Sequence, residues 1–338
     1  MKKERLTSPI DRKDARWIDL RRSQRLSKTS VNPQHPKTID GKDRKVALPI
    51  ALISAVRPKQ WLKNLFVFAP AIFANTIFQE RTLERATAAF LVFCAVASAT
   101  YLLNDVLDRE SDRQHPVKRL RPVASGRLSP ASALGLAGVL AALGIAASFG
   151  LGRLFAALVV AYLVSTIGYT LYFKHSVILD VMFLASGFVL RVAAGAAAVN
   201  VPASEWLFLC TMLLALFLGF SKRRHELTLL EEDATNHRRV LVHYSPELLD
   251  QMIVIVATSA ILCYILYTVW PSTVERFGSN HLIFTVPFVI YGIFRYFYLI
   301  HQRQSGGDPT DALLTDWPLL VNVVLWAAVA IAVITFRL

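Results

Sequence analysis

The residue pattern best suited to chemistry is a group of aspartates at the end of an apolar stretch. Residues 104–112 read NDVLDRESD, which has the form NDxxDxxxD. On a helix Asp105, Asp108 and Asp112 share one face, and Asn104 lies one turn before Asp108. A divalent cation removes the repulsion between crowded carboxylates, and such oxygen ligands suit Mg²⁺ bridging to substrate phosphates. We predict these four residues as metal ligands and the three aspartates as catalytic; the alternative is a solvated acidic helix end.

A basic segment directly follows these carboxylates. Residues 115–126 read HPVKRLRPVASG, so that Lys118, Arg119 and Arg121 lie within a few residues of the predicted metal ligands. A metal ion beside cationic side chains is an arrangement that binds diphosphates. The two segments together therefore favour a phosphorylated substrate over a solvated helix end.

A second polar loop begins with cations. Residues 221–227 read SKRRHEL, which sets Lys222 and Arg223 close to Glu226. Such a cluster suits an anion that brings no metal of its own, for example a phosphomonoester. The alternative, basic residues that only mark the cytoplasmic side of a membrane, explains the charge but not the position of Glu226.

Further polar residues interrupt or border the apolar stretches. Residues 57–64 read RPKQWLKN and break the first stretch, where an amphipathic entry helix with Lys59, Lys63 and Asn64 would meet a lipid head group. Arg191 lies in the middle of the fifth stretch, so it needs a polar partner, either a substrate phosphate or Asp180. The segment YTLYFKHSVILD, residues 169–180, joins the fourth and fifth stretches and contributes Tyr169, Lys174 and Asp180 to the predicted site.

The elements that position these residues are long apolar segments. Of 338 residues, 54% are hydrophobic and 18% are charged, which is too apolar for a soluble domain of this length. Segments of about 20 apolar residues cross the hydrocarbon core as helices. We predict an all-α integral membrane protein with nine transmembrane helices, at residues 49–78 with a polar interruption, 84–104, 130–149, 153–173, 178–199, 204–221, 250–270, 282–301 and 317–336.

The distribution of charge predicts the orientation. Lys and Arg are concentrated in the even-numbered connections, so the amino terminus and the loops 105–129 and 222–249 are expected in the cytoplasm of a multi-pass inner (plasma) membrane protein. Residues 1–48 contain 14 Lys and Arg against 6 Asp and Glu and no signal-peptide core. We interpret them as a disordered basic tail, attracted to anionic lipid or only fixing topology, and residues 49–338 as the membrane domain. The net charge of +13 fits contacts with membrane lipid, and no nucleic acid partner is predicted.

These motifs together resemble the UbiA superfamily of intramembrane prenyltransferases. The signature of that superfamily is NDxxDxxxD followed by a basic RPxxSG-like segment, on nine transmembrane helices, and the likeness covers about residues 50–338. The segments RPKQWLKN, NDVLDRESDRQHPVKRLRPVASG, YTLYFKHSVILD, SGFVLRVAAG and SKRRHEL are similar to the branch that contains decaprenyl-phosphate phosphoribosyltransferases. Typical superfamily members carry a second aspartate-rich motif after the sixth span, where this chain carries cations.

The resemblance implies a Mg²⁺-dependent reaction that serves the synthesis of cell-envelope polysaccharide precursors. In it, 5-phosphoribose moves from 5-phosphoribosyl 1-diphosphate to a polyprenyl phosphate, and diphosphate is released. The acceptor is already ionised, so no strong base is needed. The side chains expected to bind phosphates are Lys118, Arg119 and Arg121 for the donor and Lys59, Lys63, Lys174 and Arg191 for the lipid, with Lys222, Arg223 and Glu226 closing the pocket.

Two other functions compete with this interpretation. An aromatic prenyltransferase would use the metal motif to hold a polyprenyl diphosphate, but the missing second aspartate motif counts against it. An anion transporter would use Arg191 and the basic loops, but no inverted repeat is visible in the sequence. The sequence does not determine the oligomeric state, and a homo-oligomer is among the assemblies that it allows.

Overall fold

The computed structural model of the chain describes residues 41–115, 117–229, 241, 243–302 and 308–336. These residues form helices and no strand, so the all-α prediction is confirmed. By their contacts, the described residues from Val46 onward form one compact unit, which holds every residue of the predicted site. The predicted basic tail lies outside the described residues up to residue 40, and its boundary stays a prediction.

The helices follow one another along the chain with short connections. The α-helices are α1 (Gly41–Val56), α2 (Ala69–Phe73), α3 (Glu80–Leu107), α4 (Arg109–Gln114), α5 (Pro130–Phe149), α6 (Arg153–Leu171), α7 (Leu179–Val199), α8 (Glu205–Leu229), α9 (Pro246–Val269), α10 (Pro271–Phe277), α11 (Val286–His301), α12 (Pro309–Thr315) and α13 (Trp317–Phe336). The 3-10 helices are Pro58–Phe68, Lys118–Leu120, Phe173–His175 and His281–Thr285.

Eight helical segments among the described residues are long and apolar enough to cross a membrane, and they coincide with the second to ninth predicted spans. Their outward side chains are apolar and open, as at Leu143, Leu154 and Val164, which are 62%, 66% and 64% exposed. In water such surfaces would be costly, whereas lipid covers them without penalty. The chain is therefore a multi-pass membrane protein.

The first predicted span, residues 49–78, is not confirmed as a membrane-crossing helix. α1 ends at Val56, Arg57 adopts a left-handed backbone with φ 53°, and the chain continues from Pro58 as a 3-10 helix. Proline cannot donate the hydrogen bond that would continue α1. The polar interruption expected from RPKQWLKN is thus a complete break, which turns this segment toward the neighbouring helices.

Two local features explain how the elements begin and pack. Ser129 precedes Pro130 at the start of α5, and its Oγ accepts the Ser132 N–H at 3.0 Å, which caps the helix. Gly195 in α7 faces the backbone of Val67, and a Cβ atom at this glycine would lie 2.1 Å from the Val67 carbonyl oxygen. Only glycine permits this approach, which holds the Pro58–Phe68 helix against α7.

Candidate active site

The NDxxDxxxD segment lies where α3 gives way to α4. α3 ends at Leu107, and Asp108 stands between the two helices. The Asp108 N–H donates to the Asn104 carbonyl oxygen at 2.9 Å, and the Asp112 N–H donates to the Asp108 carbonyl oxygen at 2.8 Å. The helical spacing on which the metal prediction rests is therefore kept across the break. Asp105 and Asp112 are buried, and Asp108 is half-buried.

Two arginines neutralise the buried aspartates. The Arg57 guanidinium donates to Asp105 Oδ1. Arg121 Nη1 lies 3.3 Å from the same oxygen and 2.6 Å from Asp112 Oδ2, so a single nitrogen bridges both carboxylates. Arg121, which was predicted to bind donor phosphates, therefore contacts the acidic motif in this structure. Arg57 was not selected from the sequence, because its partner is 48 residues away.

Asp108 has a different cation. Lys174 Nζ, from the 3-10 helix that follows α6, donates to Asp108 Oδ1 at 2.7 Å. The structure thus brings Lys174 to the acidic motif. Of the other predicted donor-phosphate residues, Lys118 is half-buried and Arg119 is exposed on the 3-10 helix beside Arg121.

The acidic motif fits a divalent cation by its chemistry. Among the described residues, no three His, Cys, Asp or Glu side chains are already gathered as a metal cluster; Arg121 bridges the Asp105 and Asp112 carboxylates, and Arg57 binds Asp105. One oxygen is nevertheless left over, because Asp105 Oδ2 is buried without a hydrogen-bond partner. An orphaned buried carboxylate oxygen is costly. Carboxylate oxygens are the ligands that Mg²⁺ prefers, so these residues fit the ion.

A second group of charged residues surrounds Arg223 in α8. Arg223 Nε donates to Asp180 Oδ2 at 2.6 Å, Nη1 donates to Glu226 Oε2 at 2.7 Å, and Nη2 donates to the Tyr169 hydroxyl at 3.2 Å. Arg223 and Asp180 are buried almost completely, with 1% and 0% of their side chains exposed. Four predicted site residues therefore form one network, in which the guanidinium is already committed to protein partners.

Tyr244 completes this network and was missed in the sequence. Its hydroxyl donates to Asp180 Oδ1 at 2.9 Å and accepts the Ile178 N–H at 2.6 Å. Burial, together with the Asp180 carboxylate, raises the pKa of Tyr244 to about 12, so the hydroxyl stays protonated and can donate. Ile178 has φ 67°, a strained conformation for a β-branched residue, and the hydrogen bond to Tyr244 helps to hold it.

Arg191 in α7 is buried in a third polar group. Nε donates to Asn64 Oδ1 at 2.8 Å, Nη1 to the Gly187 carbonyl oxygen at 2.9 Å, and Nη2 to the Tyr162 hydroxyl at 2.8 Å. The alternative that pairs Arg191 with Asp180 is wrong, because Asp180 binds Arg223. Asn64 was predicted at the site, whereas Tyr162 was not, since a tyrosine inside an apolar stretch carries no distinctive signal.

Two lysines lie in the same interior, and their ammonium groups are open only in the sense that no described residue is paired with them. Lys63 and Lys222 are half-buried, and neither forms a hydrogen bond or an ion pair with another residue in the described part of the chain. Asp308 acts electrostatically on both. Its Oδ2 also accepts a hydrogen bond from Gln60 Nε2 at 3.1 Å. Lys59, by contrast, is exposed on the outer side of the Pro58–Phe68 helix.

The residues that form these three groups lie mostly within one segment that matches a known protein family. The family model described as "UbiA prenyltransferase family" matches residues 64–315, which include the acidic motif and both basic loops. The chain belongs to the UbiA prenyltransferase family. The expected resemblance is thereby confirmed.

Two relatives of similar sequence share one name within this family. A decaprenyl-phosphate phosphoribosyltransferase of Corynebacterium glutamicum is 35% identical, over 81% of this chain and 84% of the relative. A protein of the same name from Mycolicibacterium smegmatis is 33% identical, over 84% of this chain and 92% of the relative. Both alignments extend over most of each protein, so they compare whole membrane domains.

A solved structure supports the fold. The UbiA homologue of Archaeoglobus fulgidus bound to GPP and Mg²⁺ superposes with a TM-score of 0.66 at 19% identity, covering 84% of this chain and 99% of the homologue. At this identity the likeness concerns the helical architecture alone.

Proposed function

We propose that this chain transfers 5-phosphoribose from 5-phosphoribosyl 1-diphosphate to a polyprenyl phosphate. The bond between C1 of the ribose and the diphosphate oxygen breaks, and its electron pair leaves with diphosphate. A bond forms between C1 and an oxygen of the lipid phosphate. The observation that carries the proposal is the 35% identity, over most of both chains, to a decaprenyl-phosphate phosphoribosyltransferase.

The distribution of charge in the structure agrees with these substrates. One acidic group, the NDxxDxxxD motif, lies among cations, as a donor with a metal-bound diphosphate requires. The described residues at the end of α8 offer Lys222 and Arg223 where a second metal site would need carboxylates. A lipid phosphate that brings no second metal ion suits that end of the site.

Mg²⁺ would be held by Asn104, Asp105, Asp108 and Asp112. When bound, it supplies neutralisation of the negative charge that develops on the departing diphosphate. The orphaned Asp105 Oδ2 supports this assignment.

Cationic side chains would bind the two substrates on either side of the transferred ribose. Arg121, with Lys118 and Arg119, binds donor phosphates, and Arg57 joins them because it already reaches Asp105. The acceptor phosphate binds the open ammonium groups of Lys63 and Lys222. The remaining predicted acceptor residues are Lys59, which is exposed, Lys174, which contacts Asp108, and Arg191, which retains its contacts with Asn64 and Tyr162.

The Arg223 network gives the acceptor side its shape. Asp180, Glu226 and Tyr169 use the three nitrogens of Arg223, so these residues fix α8 against α7 and keep Lys222 turned toward the substrates. The proposed setting is the inner (plasma) membrane, with the amino terminus and the site on the cytoplasmic side, where a soluble sugar diphosphate is available.

A transfer assay tests the proposal against its alternatives. The full chain in lipid nanodiscs is incubated with Mg²⁺, labelled 5-phosphoribosyl 1-diphosphate and decaprenyl phosphate. We expect a labelled lipid, and Asp108→Asn should lower kcat/KM by about 100-fold or more, because the charge that organises the donor site is lost. The matched control is Glu110→Gln, since Glu110 lies in the same segment and its side chain is 73% exposed.

Other results would replace the proposal. If no labelled lipid forms but a polyprenyl diphosphate alkylates an aromatic acid, the chain is an aromatic prenyltransferase. If neither reaction occurs and an organic anion crosses the membrane of proteoliposomes, the chain is a transporter. If Glu110→Gln lowers the activity as much as Asp108→Asn does, the loss is not specific to the predicted metal ligands.

A further inference from the structure

Asp308 precedes α12 and belongs neither to the metal motif nor to the basic loops. Its Oδ1 accepts the Thr310 N–H at 2.9 Å and caps α12. Its Oδ2 accepts from Gln60 Nε2 at 3.1 Å, across 248 positions of sequence. A capping aspartate needs only the first contact. The second contact directs its charge toward the Pro58–Phe68 helix, which carries Lys63.

The Asp308 carboxylate, held beside the Pro58–Phe68 helix by Gln60, also acts electrostatically on Lys63 and Lys222. Burial opposes ionisation of Asp308, yet the charges of Lys63 and Lys222, with the hydrogen bonds from Thr310 and Gln60, hold the pKa of its carboxyl at about 2. Of the carboxylates that act most strongly on these lysines, Asp308 acts on both, Asp311 acts on Lys63 and Glu226 acts on Lys222. Glu226 is also committed to Arg223.

A fixed negative charge beside an anion-binding site discriminates between anions. It repels each charge that a ligand brings, so the penalty increases with ligand charge. A phosphate monoester carries up to two negative charges near neutral pH. A diphosphate ester carries one more at the same position. A carboxylate beside Lys63 and Lys222 therefore penalises a lipid diphosphate more than a lipid monophosphate.

We propose that Asp308 is a specificity-determining residue of the acceptor site, which makes the site prefer a polyprenyl monophosphate to a polyprenyl diphosphate. This inference rests on the proposed function, since it takes Lys63 and Lys222 as the groups that bind the acceptor phosphate. Gln60 is the positioning residue that holds the Asp308 carboxylate in place. The lipid chain contributes equally to the two ligands, so the preference comes from the head group.

The test measures binding instead of turnover. Farnesyl phosphate and farnesyl diphosphate are titrated separately against the full chain in nanodiscs, without divalent cations, so that metal-dependent binding at the acidic motif does not contribute. In Asp308→Asn the ratio of the two dissociation constants, diphosphate over monophosphate, should fall about fivefold, as expected for removing one charge from a partly screened site. Asparagine is an equally good helix cap, so α12 is retained.

Control variants separate charge from structure. Asp308→Glu keeps the charge and should leave the ratio near that of the wild type. Asp311→Asn removes an exposed carboxylate of the same helix that acts on Lys63, so the ratio should fall less than in Asp308→Asn. An unchanged ratio in Asp308→Asn, or an equal loss of affinity for both lipids, would overturn the inference. Failure of the proposed function is a different result, namely a wild-type chain that forms no phosphoribosyl lipid in the transfer assay.

Discussion

We predict that removing Arg223 from its buried ion pair with Asp180 destabilises the protein more than removing Asp180 does. Both side chains are almost inaccessible, and their contact at 2.6 Å joins α8 to the start of α7. Removing either partner leaves a charge in the interior. The partners that remain differ, however, and they set the size of the loss.

Loss of one member of a buried ion pair costs roughly 3–5 kcal/mol, because the other charge is left uncompensated. In Asp180→Ala the guanidinium of Arg223 keeps Glu226 at 2.7 Å, so we expect the lower end, about 3 kcal/mol. In Arg223→Met the Asp180 carboxylate keeps only the Tyr244 hydroxyl among the described residues, so we expect the upper half, about 4–5 kcal/mol. The double variant should lose at least about 2 kcal/mol less than the sum, because neither charge is then stranded.

The assay is denaturant unfolding of the purified chain in mixed micelles, followed by far-ultraviolet circular dichroism. The exposed pair of Arg113 and Glu110, at 3.2 Å, provides the control, and Arg113→Ala should change the unfolding free energy by less than about 1 kcal/mol. The reasoning is refuted if Arg223→Met unfolds like the wild type and instead raises KM for the acceptor. Arg223 would then serve the substrate and not the scaffold.

Two further predictions follow from close contacts and from charge. Gly195→Ala should displace the Pro58–Phe68 helix, because the new Cβ would lie 2.1 Å from the Val67 carbonyl oxygen. We expect the variant to lose about 1–3 kcal/mol of stability in thermal unfolding. A melting curve identical to that of the wild type would contradict this prediction. Asp308 has a pKa of about 2 when folded and near 3.8 when unfolded, so its stabilising contribution is present above about pH 4 and is lost as the pH falls toward 2. The difference in unfolding free energy between wild type and Asp308→Asn should therefore shrink over that interval, and a constant difference would show that the charge is not involved.

Local patterns in the sequence were sufficient for several features. The spacing within NDxxDxxxD predicts the helical repeat that Asn104, Asp108 and Asp112 keep in the backbone hydrogen bonds. Apolar length predicts the spans, because a bilayer requires about 20 such residues whatever they pack against. The same rule was insufficient at residues 49–78, where Arg57 and Pro58 end the helix inside a stretch of adequate length.

The pairing of charges could not be predicted in this way. A count of cations at the end of α8 does not distinguish Arg223, which is paired with Asp180 and Glu226, from Lys222, whose ammonium group is paired with no described residue. Arg191 likewise needed a partner on energetic grounds, and the sequence suggested a substrate phosphate or Asp180, whereas the structure pairs Arg191 with Asn64. Which residue pairs with each arginine depends on which helix faces lie opposite each other. The residues next to the arginine in sequence do not indicate which faces these are.

The sequence by itself determined the membrane setting, the eight confirmed spans, the acidic motif and the family, since each depends on composition or on spacing within one segment. Tertiary structure alone decided that Arg57, Tyr162, Tyr244 and Asp308 join these motifs. Their partners lie between 29 and 248 positions away in the chain. Helix packing brings them within hydrogen-bonding distance. Coulomb and hydrogen-bond energies depend on that distance in space, and separation along the chain does not reveal it.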